Sequence, residues 1–212
     1  MRVKVCGIAR VEDALVAGDA GADAVGCLVG LSHPSPDQVS AATARTLFSV
    51  LPPFVARVLV THKTTLGEVA DLVRETGATV VQLHGDFPLV AIPALREALA
   101  HVSILKCVHV TGEEAIAAAG AAARVADAVL LDTKVKGRIG GTGKVHDWSI
   151  SARIVESSSK PVILAGGLNP DNVGDAIARV RPYGVDANSG TRGTGGAKDH
   201  ARIRAFVANA RK

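Results

Sequence analysis

Three stretches, Ala20-Gly-Ala-Asp-Ala-Val25, Thr76-Gly-Ala-Thr-Val-Val81 and Val125-Ala-Asp-Ala-Val-Leu130, repeat one event: a helix ends on small residues and the chain drops into a buried strand. Outward from them, apolar β-branched runs of four to seven residues recur roughly every 22 to 33 positions, each followed by a run with helical periodicity. Strands are expected near residues 2–6, 24–29, 54–60, 79–83, 103–109, 128–132, 161–165 and 183–187. Helices are expected near 11–20, 38–50, 65–76, 89–99, 113–124, 149–157, 170–179 and 198–209, with starts such as the Thr65-x-x-Glu68 capping box. Eight alternations with no linker or change of composition predict an α/β chain, residues 1–212, folded as a single-domain closed (β/α)8 TIM barrel. Its chemistry then belongs at the carboxyl ends of the strands.

Composition narrows the function from the other side. The 212 residues are 48% hydrophobic and carry 24 basic against 20 acidic side chains, enough for one core and only mildly positive. Aromatic residues make up 3%, too few to stack bases on, so nucleic acid is not an expected partner whereas a small anion is. The longest uncharged apolar run, Ala115 to Ala123, is about half a membrane span, and no membrane partner is expected. Arg2-Val-Lys-Val-Cys6 alternates like a strand and lacks the apolar core of a signal peptide, which predicts a cytoplasmic chain, monomer or homodimer. Cys6, Cys27 and Cys107 have neither C-x-x-C spacing nor histidines at zinc spacing, so reduced thiols and no metal are expected.

Alternation fixes side-chain direction. In the first strand Val3 and Val5 face the helices while Lys4 and Cys6 point into the barrel, Cys6 at the active rim. Asp132 closes the sixth strand on the face of Ala128 and Leu130, and Asp186 shares a face of the eighth with Gly184. A thiol at neutral pH is only a few per cent ionised, so a cation such as Lys4 beside Cys6 would favour the thiolate. Glycine-rich loops follow the last three strands: Gly137-Arg-Ile-Gly-Gly-Thr-Gly143, Ala165-Gly-Gly-Leu-Asn-Pro-Asp171 and Asn188-Ser-Gly-Thr-Arg-Gly193. Backbone N–H groups in such loops suit a phosphate, which in this fold binds after the last two strands. Neither a nucleoside-triphosphate loop nor a dinucleotide fingerprint is present, because Val145 follows Gly143-Lys144 and Cys6-Gly-Ile-Ala-Arg10 has the wrong spacing.

An ordered set of motifs spans nearly the whole chain: Lys4-Val-Cys-Gly-Ile8, Val81-Gln-Leu-His-Gly85, Leu130-Leu-Asp132 with Gly140-Gly-Thr-Gly143, Leu164-Ala-Gly-Gly-Leu-Asn-Pro170, Gly184-Val-Asp186 with Ser189-Gly190, and Lys198-Asp199. It resembles the phosphoribosylanthranilate isomerase family of tryptophan biosynthesis. The resemblance implies a (β/α)8 barrel and an acid/base Amadori rearrangement of a phosphorylated sugar, with no cofactor and no metal. It implies Asp132 as the acid and Cys6 as the base, with Lys4 and Asp186 beside the substrate and Asp186 near the ribose hydroxyls. Gly143, Gly166, Gly167, Ser189 and Gly190 would hold the phosphate. The base role asks for a thiolate at Cys6, and the acid role for a proton on Asp132 near neutral pH.

Two positions depart from the family pattern. Where the family typically carries Ser-Pro-Arg, whose arginine meets the anthranilate carboxylate, this chain has Ser35-Pro36-Asp37. Where a glutamate usually follows Ser-Gly and a hydrophobic residue, it has Arg192. Arg10, Arg138 and Arg192 lie on active-face loops and are the cations available to compensate; a charge exchange between the two loops would either pair Asp37 with Arg192 or set Arg192 against the carboxylate. Two other readings remain at this point: a related isomerase acting on another phosphoribosyl amine, favoured by Asp37, and a non-catalytic phosphate-binding barrel, which has no use for an acid and base pair.

Overall fold

A computed structural model of the chain describes residues 1–135, 138–139 and 146–212. Strands β1 (Arg2–Cys6), β2 (Ala24–Leu28), β3 (Ala56–Thr61), β4 (Val80–Leu83), β5 (Ser103–Val110), β6 (Ala128–Val135), β8 (Val162–Leu164) and β9 (Gly184–Ala187) pair in parallel. A two-residue strand β7 (Arg138–Ile139) folds back antiparallel on β6. The sheet order runs β5-β4-β3-β2-β1-β9-β8-β6-β7, and the β5–β6 pairing closes the eight parallel strands into a ring. Helices α1 (Val11–Asp19), α2 (Ala41–Ser49), α3 (Leu66–Thr76), α4 (Ile92–Ala98), α5 (Glu114–Ala123), α6 (Trp148–Ser157), α7 (Val173–Val180) and α8 (His200–Ala210) cover its outside. Every expected strand and helix is found within a few residues of its predicted bounds. The hairpin strand β7 was not predicted, since a glycine-rich run carries no strand periodicity.

Local chemistry explains the boundaries. Short polar side chains open three helices by accepting N–H groups that have no partner within the helix: Ser40 from Thr43 at 3.0 Å, Asp147 from Ser149 at 2.9 Å and Asp199 from Ala201 at 2.8 Å. The Thr65 capping box forms differently from expectation: the Thr65 hydroxyl donates to the Glu68 carboxylate at 2.6 Å and caps no backbone N–H. Lys63 also donates to Glu68, at 2.8 Å, so the carboxylate is held as a side-chain hub.

The side-chain alternation read from the sequence holds. Val3, Val5, Val129 and Leu131 pack with the helices in the main core, whose largest fully buried member is Phe206 of α8. Inside the ring two small clusters replace it, one of Cys6, Val58 and Val60 and the other of Leu105, Cys107, Leu130 and Ala165. These plug the barrel and leave its carboxyl end open. Among the described residues no helix is long and apolar enough to cross a membrane.

Candidate active site

The open end encloses a cavity of about 780 Å3, within the range of small-molecule sites. Cys6, Asp132, Asp186, Gly166, Gly167, Ser189 and Arg192 all line it. The first strand, the sixth and the loops after the last two therefore converge on one mouth.

Lys4 and Asp186 stand opposite each other in the β1–β9 register, and the Lys4 Nζ donates to Asp186 Oδ2 at 2.8 Å in a buried pair. Burial works against the charge on Lys4, but Asp186 and Cys6 outweigh it and hold the ammonium above its ordinary pKa. The expected effect on Cys6 is corrected. Burial pushes the thiol up, Lys4 lowers it, and Asp186 raises it again, leaving the thiol above its usual value. The Lys4 cation still favours the thiolate, but burial outweighs it and its carboxylate partner adds to the rise. Room for this sulfur comes from the next strand: a Cβ on Gly26 would stand 2.8 Å from Cys6 Sγ. Asp186 Oδ1 is buried with no hydrogen-bond partner among the described residues, an acceptor without a donor beside the cavity.

Asp132 lies on the inward face of β6, with Oδ1 accepting the Thr133 N–H at 2.8 Å and Oδ2 lying 3.3 Å from His84 Nε2. Burial pushes this carboxyl up, but the hydrogen bond and charge of His84 outweigh burial and hold it below the usual carboxylate range. Burial likewise opposes charge on His84, and there Cys107 and Asp132 outweigh it, raising the imidazole well above its ordinary value. The lowered Asp132 carboxyl runs against the proton its expected role asks for, while the raised His84 beside it favours a charged imidazole.

His84 belongs to a row of imidazoles that sequence reasoning assigned no role. His33, His62, His84 and His109 follow one another across the mouth with ring centroids 5.2, 5.5 and 5.4 Å apart. Burial, and then the charge of His84, bring His62 down to about 4. Its Nδ1 sits 3.3 Å from the Ser32 N–H and 3.0 Å from the Ser32 hydroxyl. The signal available in the sequence was positional, since His62 and His84 each directly follow a strand end. The mouth is also a donor set: His84, Cys107, His109 and Asp132 each offer one ligating atom, all within 4.8 Å of one another.

The two departures from the family pattern meet. The Arg192 guanidinium donates to Asp37 in an ion pair that joins the loop after β2 to the loop after β9, and Arg192 Nε is buried without a partner among the described residues. Arg10 goes elsewhere: its guanidinium makes two bonds to Asp13, at 3.0 and 2.9 Å, and does not line the cavity. Lys198, also unassigned from sequence, is buried and donates to the Asn188 carbonyl at 2.7 Å, the Asn188 side chain at 3.1 Å and the Thr191 hydroxyl at 2.9 Å. Burial brings its ammonium down to about 8 even though Asp37, Cys6 and Asp186 favour its charge.

Of the loop residues expected to hold phosphate, Gly166, Gly167 and Ser189 line the cavity. Gly166 and Gly167 adopt φ of +82° and +77°, a region open to glycine, and a Cβ at Gly166 would collide with Thr133. Ser189–Thr191 form a single 3-10 turn in which the Gly190 carbonyl accepts from Arg202 Nε at 3.1 Å. Gly143 lies outside the described residues.

Comparison with known proteins points to one family. A family model described as N-(5'phosphoribosyl)anthranilate (PRA) isomerase matches residues 3–209. N-(5'-phosphoribosyl)anthranilate isomerase 2 of Methanosarcina mazei is 47% identical over 213 aligned positions, covering 100% of this chain and 94% of its own. The crystal structure of phosphoribosyl anthranilate isomerase from Thermotoga maritima superposes with a TM-score of 0.85 at 37% identity, over 100% of this chain and 98% of that one. Another, with a TM-score of 0.82 at 35% identity over 100% and 98%, is a complex with reduced 1-(o-carboxyphenylamino)-1-deoxyribulose 5-phosphate. Fold, site and whole-length similarity converge, and the chain belongs to the N-(5'-phosphoribosyl)anthranilate isomerase family.

Proposed function

We propose that this chain is a phosphoribosylanthranilate isomerase of tryptophan biosynthesis. It converts N-(5'-phosphoribosyl)anthranilate into 1-(2-carboxyphenylamino)-1-deoxyribulose 5-phosphate by an Amadori rearrangement. The observation that carries the reading is that Cys6 and Asp132, from opposite parts of the sequence, line one cavity together with the glycine loops. The reaction moves protons and needs no external oxidant. Asp132 protonates the furanose oxygen as the ring opens to an iminium, and Cys6 takes the C2 proton to give an enolamine that becomes the ketone. His84 Nε2 lies 3.3 Å from Asp132 Oδ2, so a charged imidazole there resupplies the proton that Asp132 delivers as the ring opens.

The remaining residues position the substrate. Asp186 Oδ1 accepts a ribose hydroxyl, while Lys4 acts through Asp186 and Cys6 rather than on substrate. Gly166, Gly167, Ser189 and Gly190 hold the phosphate, with Gly143 as a further contact from the loop after β6. Arg192, oriented by Asp37, meets the anthranilate carboxylate through the donors the ion pair leaves over. The chain works as one domain in the cytoplasm, as a monomer or as a homodimer; a related structure from Thermotoga maritima is described as monomers generated from a dimeric enzyme.

Loss of phosphoribosylanthranilate fluorescence on adding purified protein tests the reading. Turnover is expected in the wild type and at least about 100-fold less in Cys6→Ala and in Asp132→Asn, the scale of acid and base groups. No loss of fluorescence with the wild type overturns it in favour of another phosphoribosyl amine. Arg192→Ala should raise KM by about 10- to 150-fold, equivalent to a lost charge-assisted bond of about 1.5–3 kcal/mol. An unchanged KM removes Arg192 from the carboxylate.

A further inference from the structure

Four side chains with no sequence spacing in common arrive at one point on the barrel mouth. His84 directly follows β4, Cys107 and His109 lie two residues apart on one face of β5, and Asp132 stands opposite His109 in the β5–β6 register. Their ligating atoms, two imidazole nitrogens, a sulfur and a carboxylate oxygen, all lie within 4.8 Å of one another. A tetrahedral ion with bonds of about 2.0–2.3 Å needs its ligand atoms about 3.3–3.8 Å apart, so rotations drawing these four in by about 1 Å complete a coordination shell. The His84 and His109 rings stand 82° apart, which lets each approach a central ion from its own direction.

A second observation points the same way. Gln82 is 1% exposed, and its Nε2 lies 2.9 Å from His84 Nδ1 while its Oε1 is buried with no hydrogen-bond partner among the described residues. A half-turn of that amide places Oε1 against Nδ1–H. The His84 tautomer is then fixed with the Nε2 lone pair turned to the centre, the outer-shell arrangement usual for a metal-bound histidine.

We propose that His84, Cys107, His109 and Asp132 form a binding site for a divalent transition metal of the zinc class. One thiolate, two imidazoles and one carboxylate suit Zn2+ or Co2+ and not the all-oxygen preference of Mg2+ or Ca2+. Binding releases two protons to solvent: the Cys107 thiol proton as the metal–sulfur bond forms, and the Nε2 proton of a charged His84 as its lone pair turns to the metal, leaving Nδ1–H against Gln82. The ion engages both members of the His84–Asp132 pair, so it acts as an inhibitor of the isomerase and not as its cofactor. That consequence rests on the role proposed above for Asp132, whereas the site itself does not.

Cobalt titration of the purified full-length protein tests both. A saturable one-to-one phase at micromolar Co2+ is expected, with a near-ultraviolet thiolate-to-cobalt band that Zn2+ abolishes. Cys107→Ala should remove the band, and Gln82→Ala should keep it while weakening Zn2+ affinity by about 10- to 100-fold. His109→Gln, at a half-buried position on the rim, should weaken binding with the band retained, which gives an independent readout if Cys107→Ala does not fold. Absence of the saturable phase, or an unchanged band in Cys107→Ala, overturns the proposal. Zn2+ should lower turnover in proportion to occupancy, with recovery on adding a chelator. Saturable Cys107-dependent binding with turnover untouched keeps the metal site and overturns the role of Asp132 as the acid.

Discussion

At the scale of single residues, the site is governed by how charges are shared among few partners. Asp186 illustrates this, because its carboxylate takes up the Lys4 ammonium and thereby works against ionisation of Cys6. With a thiol above its ordinary pKa as the base, kcat/KM should climb with pH into the alkaline range. Asp186→Asn removes a charge that raises the thiol and leaves Lys4 free to stabilise the thiolate, so the alkaline limb is expected to move to lower pH. A pH profile of kcat/KM for the two proteins checks the sign, and a limb unmoved or shifted upward counts against Cys6 as the titrating base. The substitution also leaves a buried cation without its counter-charge, which costs about 3–5 kcal/mol where the other contacts do not adapt. The profile is therefore read at a temperature where the variant is folded.

Which residues could be read from the sequence follows the same logic. Strand alternation placed Cys6, Asp132 and Asp186 on inward faces because side-chain direction has a period of two and needs no knowledge of the partner strand. The pKa of each did depend on the partner. Lys4 does lower the thiol as the sequence suggests, but burial outweighs it, and Asp186, opposite Lys4 in the β1–β9 register, adds to the rise. The protonation of Asp132 depends on a partner in the same way, since His84, the residue after β4, stands beside it with only β5 between their strands. Arg10 was readable as a loop cation, but Asp13, three residues on, captures it.

At the scale of elements, the connection between β9 and α8 is organised from within. Lys198 ties the Asn188 carbonyl to the Thr191 hydroxyl, and Asp199, the next residue, accepts N–H groups of the first turn of α8 at 2.8 and 3.1 Å. Burying the Lys198 ammonium among Asp37, Arg192, Cys6 and Asp186 lowers its pKa from 10.5 to about 8. Below about pH 8 folded and unfolded chains both hold this proton, and the burial cost is fully present. From there to about 10.5 the unfolded chain keeps a proton that the folded one has released, so folding stability rises with pH. The gain is on the order of 3 kcal/mol at 1.36 kcal/mol per unit. Lys198→Met should lack this rise, which denaturant unfolding of the two proteins at pH 7.5 and pH 10 measures; parallel curves would remove Lys198 from the account. The segment was legible only as a glycine-rich loop before a helix, because a lysine within it carries no sign of being buried.

At the scale of the whole molecule, the alternating pattern was enough to predict the ring and the end at which it opens. Eight apolar runs of strand length separated by helical periods leave few ways to bury both faces of a parallel sheet. Relations across the ring were the part that could not be read. Cys107 and His109 meet His84 and Asp132 because β5 closes against β6, and nothing in their spacing along the chain announces it. A zinc pattern sought in consecutive residues misses a ligand set assembled by barrel closure.

The first strand is hydrogen-bonded to the last, and the buried lysine–carboxylate contact between them joins residues 182 positions apart. During translation the Cys6 thiol is made long before Asp186, so one of its two neighbouring strands emerges from the ribosome much later than the other. A nascent chain thus carries an unfinished pocket until Gly184–Ala187 has emerged, and any truncation ahead of Gly184 removes the wall on which Asp186 stands.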